Sequence, residues 1–253
     1  MGGFMKFLAK EFREIVRTWR LPVVAGVVLL FALTGPPLAM LTPQLLKSLQ
    51  ASQPGVIIQL PEPSWRDAYA QWIKNLTQIV SFVTVIAAAG SVAGEVASGT
   101  AVLVLTKPVS RAGFVVAKAI SLFALIGTCT VVGAALTQVL TAAMFPEAPS
   151  AELWGSTLAW LAFAGLLIAV TLAFSTWMPT LASAGLGVAV FFVVSVVSLW
   201  GPARRFSPAG VMPAMGDILA GKHLALAWPI GTTLAASVAL VALAAWIFTR
   251  REI

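Results

Sequence analysis

Long apolar runs separated by short polar stretches set the pattern of this chain. Six of them, at about residues 21–41, 72–96, 114–145, 153–177, 181–200 and 225–249, reach the ~20 residues that carry a helix across a bilayer core. Strands of a membrane barrel would instead alternate polar and apolar positions over about ten residues. The pattern therefore predicts an all-α membrane protein with six transmembrane helices in one domain, residues 21–253. Gly35, Pro36 and Pro37 predict a kink or an end in the first run. The length of the third predicts tilt or projection beyond the lipid. Residues 42–71 are polar and carry a possible amphipathic turn around Trp65, Tyr69 and Trp72. Residues 201–224 hold three prolines, four glycines and apolar patches, a composition that predicts re-entrant or short helices at the membrane edge.

Residues 1–20 follow a different period. Phe4, Phe7, Leu8, Phe12, Ile15, Val16 and Trp19 recur at helical spacing, with Lys6, Lys10, Arg13, Arg17 and Arg20 off that stripe. Such an amphipathic helix lies in the interface with its basic side toward anionic headgroups, and Pro22 separates it from the first span. Glu11 falls on the apolar side, where it is expected to snorkel or pair with a neighbouring basic residue. A basic stretch this long ahead of the first apolar run is unlike a cleaved signal, so the N-terminus is expected to stay attached.

Composition narrows the function classes. The chain is 59% hydrophobic and 10% charged, against roughly 25% charged in soluble domains. Its +7 charge sits at the ends of the apolar runs and not in a stripe interleaved with aromatics, which fits lipid headgroups and excludes a nucleic-acid partner. Ten of the sixteen Lys and Arg residues fall in segments on the same side of the membrane as the N-terminus, so both termini are expected in the cytoplasm, with the protein in a bacterial or archaeal cell membrane. Cys129 reads as a small buried hydrophobe. His223 is the only histidine, which excludes a two-histidine metal site or a His-based hydrolase within one chain. Residues 216–223, GDILAGKH, nearly match a phosphate loop but lack its Ser or Thr and a preceding strand, and Asn75-Leu76-Thr77 is a chance glycosylation match. The middle of every run is free of ionisable residues, which disfavours a proton-coupled carrier. Thr128, Thr130, Thr137, Gln138, Thr171 and Ser195 are expected to join helices through hydrogen bonds. No catalytic residue, metal site or cofactor is expected on this chain.

One connection stands apart. Residues 94–118, GEVASGTAVLVLTKPVSRAGFVVAK, form the only substantial loop on the predicted cytoplasmic side. Glu95 closes the second run, Gly99 and Thr100 allow a turn, 101–105 form a short apolar helix, and Pro108 ends it. Lys107, Arg111 and Lys118 are expected to anchor the return at the headgroups. Alone, this is either an ordinary inner turn or an exposed apolar helix suited to a partner's groove.

The pattern E-x-x-x-G-T, an apolar turn, then L-T-K-P-V-S-R and a Lys seven residues on, resembles the cytoplasmic loop of type 2 ABC transporter permeases. In particular it resembles the six-span group that includes sodium-export, bacitracin-export and nitrous-oxide-reductase maturation permeases. Lys10-Glu11-Phe12-Arg13 with Arg17 is similar to that family's opening interfacial helix, and residues 247–253 to its basic ending. The resemblance implies that the loop, 95–113, is a coupling helix driven by a separate ATP-binding subunit, with Glu95, Gly99, Thr100, Leu103, Leu105, Thr106, Lys107, Pro108 and Arg111 at the interface. Lys10, Glu11, Arg13 and Arg17 would lie beside it. It further implies an exporter built with two copies of the ATPase, which bind ATP and Mg, and a second permease, identical or homologous. A scaffold that merely holds a cytoplasmic protein through the same loop is the alternative. The transported substrate is not specified by these motifs.

Overall fold

The computed structural model describes residues 2–51, 62–106, 109–222 and 226–251, and every regular element among them is helical. In chain order these are α1 (Gly2–Arg17), α2 (Arg20–Ala51), α3 (Trp65–Asn75), a π-helical turn (Leu76–Val80), α4 (Ser81–Ala97), α5 (Thr100–Leu105), α6 (Arg111–Met144), α7 (Ser150–Ser175), α8 (Thr180–Val197), α9 (Gly201–Phe206), a 3₁₀ turn (Pro208–Gly210), α10 (Val211–Leu219) and α11 (Ala227–Arg250). Six stretches are long and apolar enough to cross a membrane: Arg20–Thr42, Trp65–Ala97, Arg111–Met144, Ser150–Ser175, Thr180–Val197 and Ala227–Arg250. The chain is a multi-pass helical membrane protein.

Helix α7 is the axle. It packs against α4, α6, α8, α10 and α11, and most of its residues are buried, whereas α8 and α11 show broad apolar faces. Between helices in lipid, close fit replaces the hydrophobic drive, and small residues set that fit. A Cβ on Gly133 of α6 would fall 2.6 Å from both Trp72 of α3 and Val28 of α2, so only glycine admits that contact. From this layer, the Trp72 Nε1–H donates to Thr157 Oγ1 of α7 at 3.2 Å.

Several expectations change. The first span does not end at Pro36 and Pro37: α2 continues to Ala51. In a membrane, continuing the helix through the prolines leaves fewer backbone groups unmet than breaking it. The break before α2 lies at Thr18-Trp19, and Pro22 sits inside its first turn, where the missing N–H is harmless. The turn around Trp65, Tyr69 and Trp72 is the start of the second span, which opens at Trp65 and not Trp72. A capping box starts it: Asp67 accepts from the Ser64 backbone N–H at 2.9 Å. In the 201–224 segment the two short helices α9 and α10 form; Arg204 and Lys222 both pair with Asp217. Burial pushes the Asp217 carboxyl up, but these two cations outweigh it and hold it below the usual range. The first half of GDILAGKH is thus the end of α10, and its Lys222 is taken by Asp217; His223 lies outside the described residues.

Both described ends of the chain meet at one end of the bundle. Phe7 of α1 stacks on Phe114 of α6, which stacks on Phe248 of α11, each pair 5.3 Å apart. We call this the terminal end; α9 and α10 lie at the distal end.

Candidate functional site: a buried charge cluster at the terminal end

Helix α4 ends in a left-handed glycine. Gly99 has φ 71°, a conformation that only glycine adopts without strain, and Ser98 and Thr100 both donate their hydroxyls to the Glu95 carbonyl. The reversal launches α5 directly from the turn that carries Glu95. On α5, Ala101 is buried while Val102 and Leu103 are 46% and 69% exposed. The helix ends at Leu105, with Thr106 as its cap; termination therefore precedes Pro108. Lys107 and Pro108 lie outside the described residues, as does the Leu105 side chain.

Beneath this reversal, three helices contribute charges to one cluster. Lys118 of α6 is 1% exposed and its Nζ donates to Glu95 of α4 at 2.6 Å and to Glu11 of α1 at 3.1 Å. Lys10 reaches Glu14 at 2.5 Å, Glu11 at 3.0 Å and Glu95 at 3.3 Å. Glu11 is itself buried. The Lys118 ammonium lies 4.9 Å from the centre of the Phe114 ring, and Lys10 5.5 Å from that of Phe7, so cation–π contact adds to the pairing. Helices α1, α4 and α6 are locked together by charge in an otherwise apolar surrounding of Phe7, Val92, Phe114, Leu172 and Phe248.

Outside the spans, the α1 groups respond as this geometry requires. Burial pushes the Glu14 carboxyl up, but the hydrogen bond and charge of Lys10, with help from Lys118 and Arg20, outweigh it and hold the group below the usual carboxylate range. Burial likewise pushes the Lys10 ammonium down, and Glu14, Glu11 and Glu95 together raise it above its ordinary value. The oxygens of Glu11, Glu14 and Glu95 lie within 4.8 Å of one another, close enough to hold a metal ion. The two lysine ammoniums already lie among these oxygens, so the protein supplies its own cations there.

The same end is stitched to α7 and α11. Ser175 Oγ donates to the Ala89 carbonyl at 2.6 Å and accepts from the Ala93 N–H at 2.9 Å, in the two turns of α4 that lead to Glu95. Arg111 donates to the Thr249 and Arg251 carbonyls, satisfying the C-terminus of α11, and Arg251 donates to the Thr176 carbonyl at 2.6 Å.

Of the residues singled out by sequence, Lys10, Glu11 and Glu95 are brought together. Arg13 and Arg17 stay exposed on α1, and Thr106, whose hydroxyl donates to the Leu103 carbonyl, is exposed on α5. Lys118 is a correction: it does not anchor the loop at headgroups but is buried among carboxylates, because two turns of α6 carry it from Arg111 into the bundle. Its signal was visible as a lysine inside an apolar run with Glu11 on an apolar face, two misplaced charges of opposite sign. Glu14 and Ser175 had no such signal. Of the polar span residues expected to join helices, Ser195 does so, donating to Met212 Sδ of α10 at 3.6 Å, whereas the Thr130, Thr137 and Thr171 hydroxyls and Gln138 Oε1 have no partner among the described residues; Ser175, Ser156 and Trp72 also bond between helices. A groove of about 610 Å³ between α6, α7 and α11 is almost wholly apolar, with Ser237 its only polar side chain.

Residues 58–253 match the model of a family described as "Protein of unknown function (DUF2705)". No curated protein matches the chain.

Proposed function

We propose that this chain, which belongs to the DUF2705 family, is the permease subunit of an ABC transporter, an exporter powered by a separate ATP-binding subunit. The observation that carries the reading is the junction at Glu95. The backbone turn that holds Glu95 launches α5, whose Val102 and Leu103 are exposed, and the Glu95 side chain is pinned by Lys118 to α6 and through it to α1. A push on α5 therefore reaches three helices through charge contacts of about 3 Å instead of dissipating in a loop. In this reading α5 is the coupling helix, α1 lies in the cytoplasmic interface, and both termini face the cytoplasm. ATP and Mg belong to the partner, present in two copies, and a second permease completes the pathway.

The test is co-purification of tagged protein with an ATP-binding-cassette subunit, identified by mass spectrometry, followed by ATP-driven flux in vesicles. Leu103→Glu is expected to abolish the association with membrane insertion and thermal stability unchanged. Retained association in Leu103→Glu overturns the assignment of α5. Association without any ATP-dependent flux favours the scaffold reading.

A further inference from the structure

The distal end holds a charged pocket. It lies where α9 follows α8 and where α11 begins, a cavity of about 360 Å³ whose lining includes Arg204, Arg205, Gly210, Asp217, Leu226 and Pro229. Close contact fixes its walls. A Cβ on Gly210 would collide with the Arg204 carbonyl and lie 3.1 Å from Pro229 Cγ, so glycine lets α9, the 3₁₀ turn and α11 meet at one point. Asp217 of α10 forms the base. It is 8% exposed, its Oδ2 accepts from Arg204, and its Oδ1 accepts from Lys222 at 3.0 Å.

The charges here do not cancel. Arg204, Arg205 and Lys222 stand against Asp217 alone, a surplus of two positive charges. Among the described residues Arg205 has no carboxylate partner, and its guanidinium lies 5.3 Å from the centre of the Phe206 ring. Asp217 engages Arg204 through Nη2 only, which turns that guanidinium while leaving its other donors for a ligand. Such forks match phosphate oxygens two at a time, and a carboxylate that already holds one in place lowers the cost of ordering it on binding. The aromatic residues around the pocket say where the phosphate comes from. Trp200, Phe206 and Trp228 are each more than half exposed, and Phe206 meets Trp228 edge-on at 6.3 Å. They stand between the end of one span, Thr180–Val197, and the start of the next, Ala227–Arg250. Tryptophans at span ends sit at headgroup level, so the pocket faces lipid phosphates. Leu226 and Pro229 give it an apolar side, which suits the glycerol end of an acyl chain.

We propose that Arg204 and Arg205, with Asp217 as the positioning group, bind the phosphate of an anionic phospholipid in the distal leaflet. The surplus positive charge selects lipids of net negative headgroup over zwitterionic ones. The site is independent of the cluster around Lys118 and of the partner assigned to α5.

Photolabelling of the full chain in lipid nanodiscs tests this. The probe is phosphatidylglycerol with a diazirine near the ester end of one acyl chain, added as a minor component to phosphatidylcholine. Mass spectrometry is expected to find the label concentrated between Trp200 and Pro229. Unlabelled phosphatidylglycerol is expected to compete, whereas added phosphatidylcholine or inorganic phosphate is not. Arg205→Gln is expected to cut labelling of this segment roughly tenfold, with labelling at the terminal end unchanged. Asp217 keeps both its partners in this variant, so its thermal unfolding is expected to match that of the wild type; if it does not, the competition arms on the wild-type protein decide alone. Label spread evenly over the lipid-facing helices, competition by phosphatidylcholine or phosphate equal to that by phosphatidylglycerol, or undiminished labelling in folded Arg205→Gln overturns the proposal.

Discussion

The two ends of this molecule bury polar groups in opposite ways. At the terminal end, three carboxylates and two ammoniums from α1, α4 and α6 meet within 2.5–3.3 Å. At the distal end, Tyr69 Oη, Thr137 Oγ1 and the Oε2 of half-buried Glu152 are buried with no hydrogen-bond partner among the described residues. A buried charge is tolerable only when something compensates it. The terminal end carries that compensation within the chain and is therefore stiff, a property suited to passing on force. At the distal end only Asp217 has it, from Arg204 and Lys222, and these three oxygens have none.

The largest expected effect separates these two regimes. Lys118→Met leaves Glu11 and Glu95 without their buried partner and is expected to lower stability by about 3–5 kcal/mol, read by chemical or thermal unfolding in detergent. Glu152→Gln, which removes a charge that no Lys or Arg pairs with among the described residues, is expected to be neutral or stabilising. Equal losses in the two variants would erase the contrast. Gly133→Ala, in the layer between the ends, forces a methyl into Trp72 and Val28 and is expected to lose about 1–3 kcal/mol by overpacking. Trp72→Phe removes the N–H given to Thr157 in the same layer and is expected to lose about 1 kcal/mol; a loss as large as that of Lys118→Met would mean that neutral bonds, not charges, fix the bundle.

The smallest effect is in pH, and it belongs to the exposed rim of the cluster. Because the folded Glu14 carboxyl lies below its ordinary value, its contribution is present above about pH 4.3 and is lost as pH falls through the lower folded value. Lys10 is raised, so its share is present below about pH 10.4 and is lost as pH rises through the higher folded value. Both side chains are partly exposed, so the slope is small and salt-sensitive. Glu14→Gln should flatten the acid limb of a stability profile taken from pH 3 to 6.

Much of the fold was legible because a bilayer imposes a length on every helix that crosses it. The predicted start of α6 came within three residues of the observed Arg111, and the α7, α8 and α11 boundaries followed the apolar runs closely. Prolines misled at Pro36 and Pro37, since the rule that they end helices assumes water is available for the freed carbonyls. Trp65 to Gln71 misled in the other direction: that segment is polar enough to read as loop, yet Tyr69 and Trp72 face the bundle, and periodicity over two turns does not say what a face will meet.

The candidate site divides in the same way. Glu95, the Gly99 reversal and the short α5 were readable from local chemistry, as a span end, a left-handed residue and an apolar turn. Lys118 was placed in the right helix with the wrong surroundings, and the unpaired Thr137 hydroxyl was taken as an ordinary helix contact. The sequence by itself determined how many times the chain crosses and where charges are scarce, because those follow from the hydropathy of contiguous residues. Which charges meet, Lys118 with Glu11 across 107 positions, and which polar groups are left without partners, was decided only by the packing of distant helices. A contact at 3 Å depends on register and rotation, quantities that a single helix's own pattern leaves open.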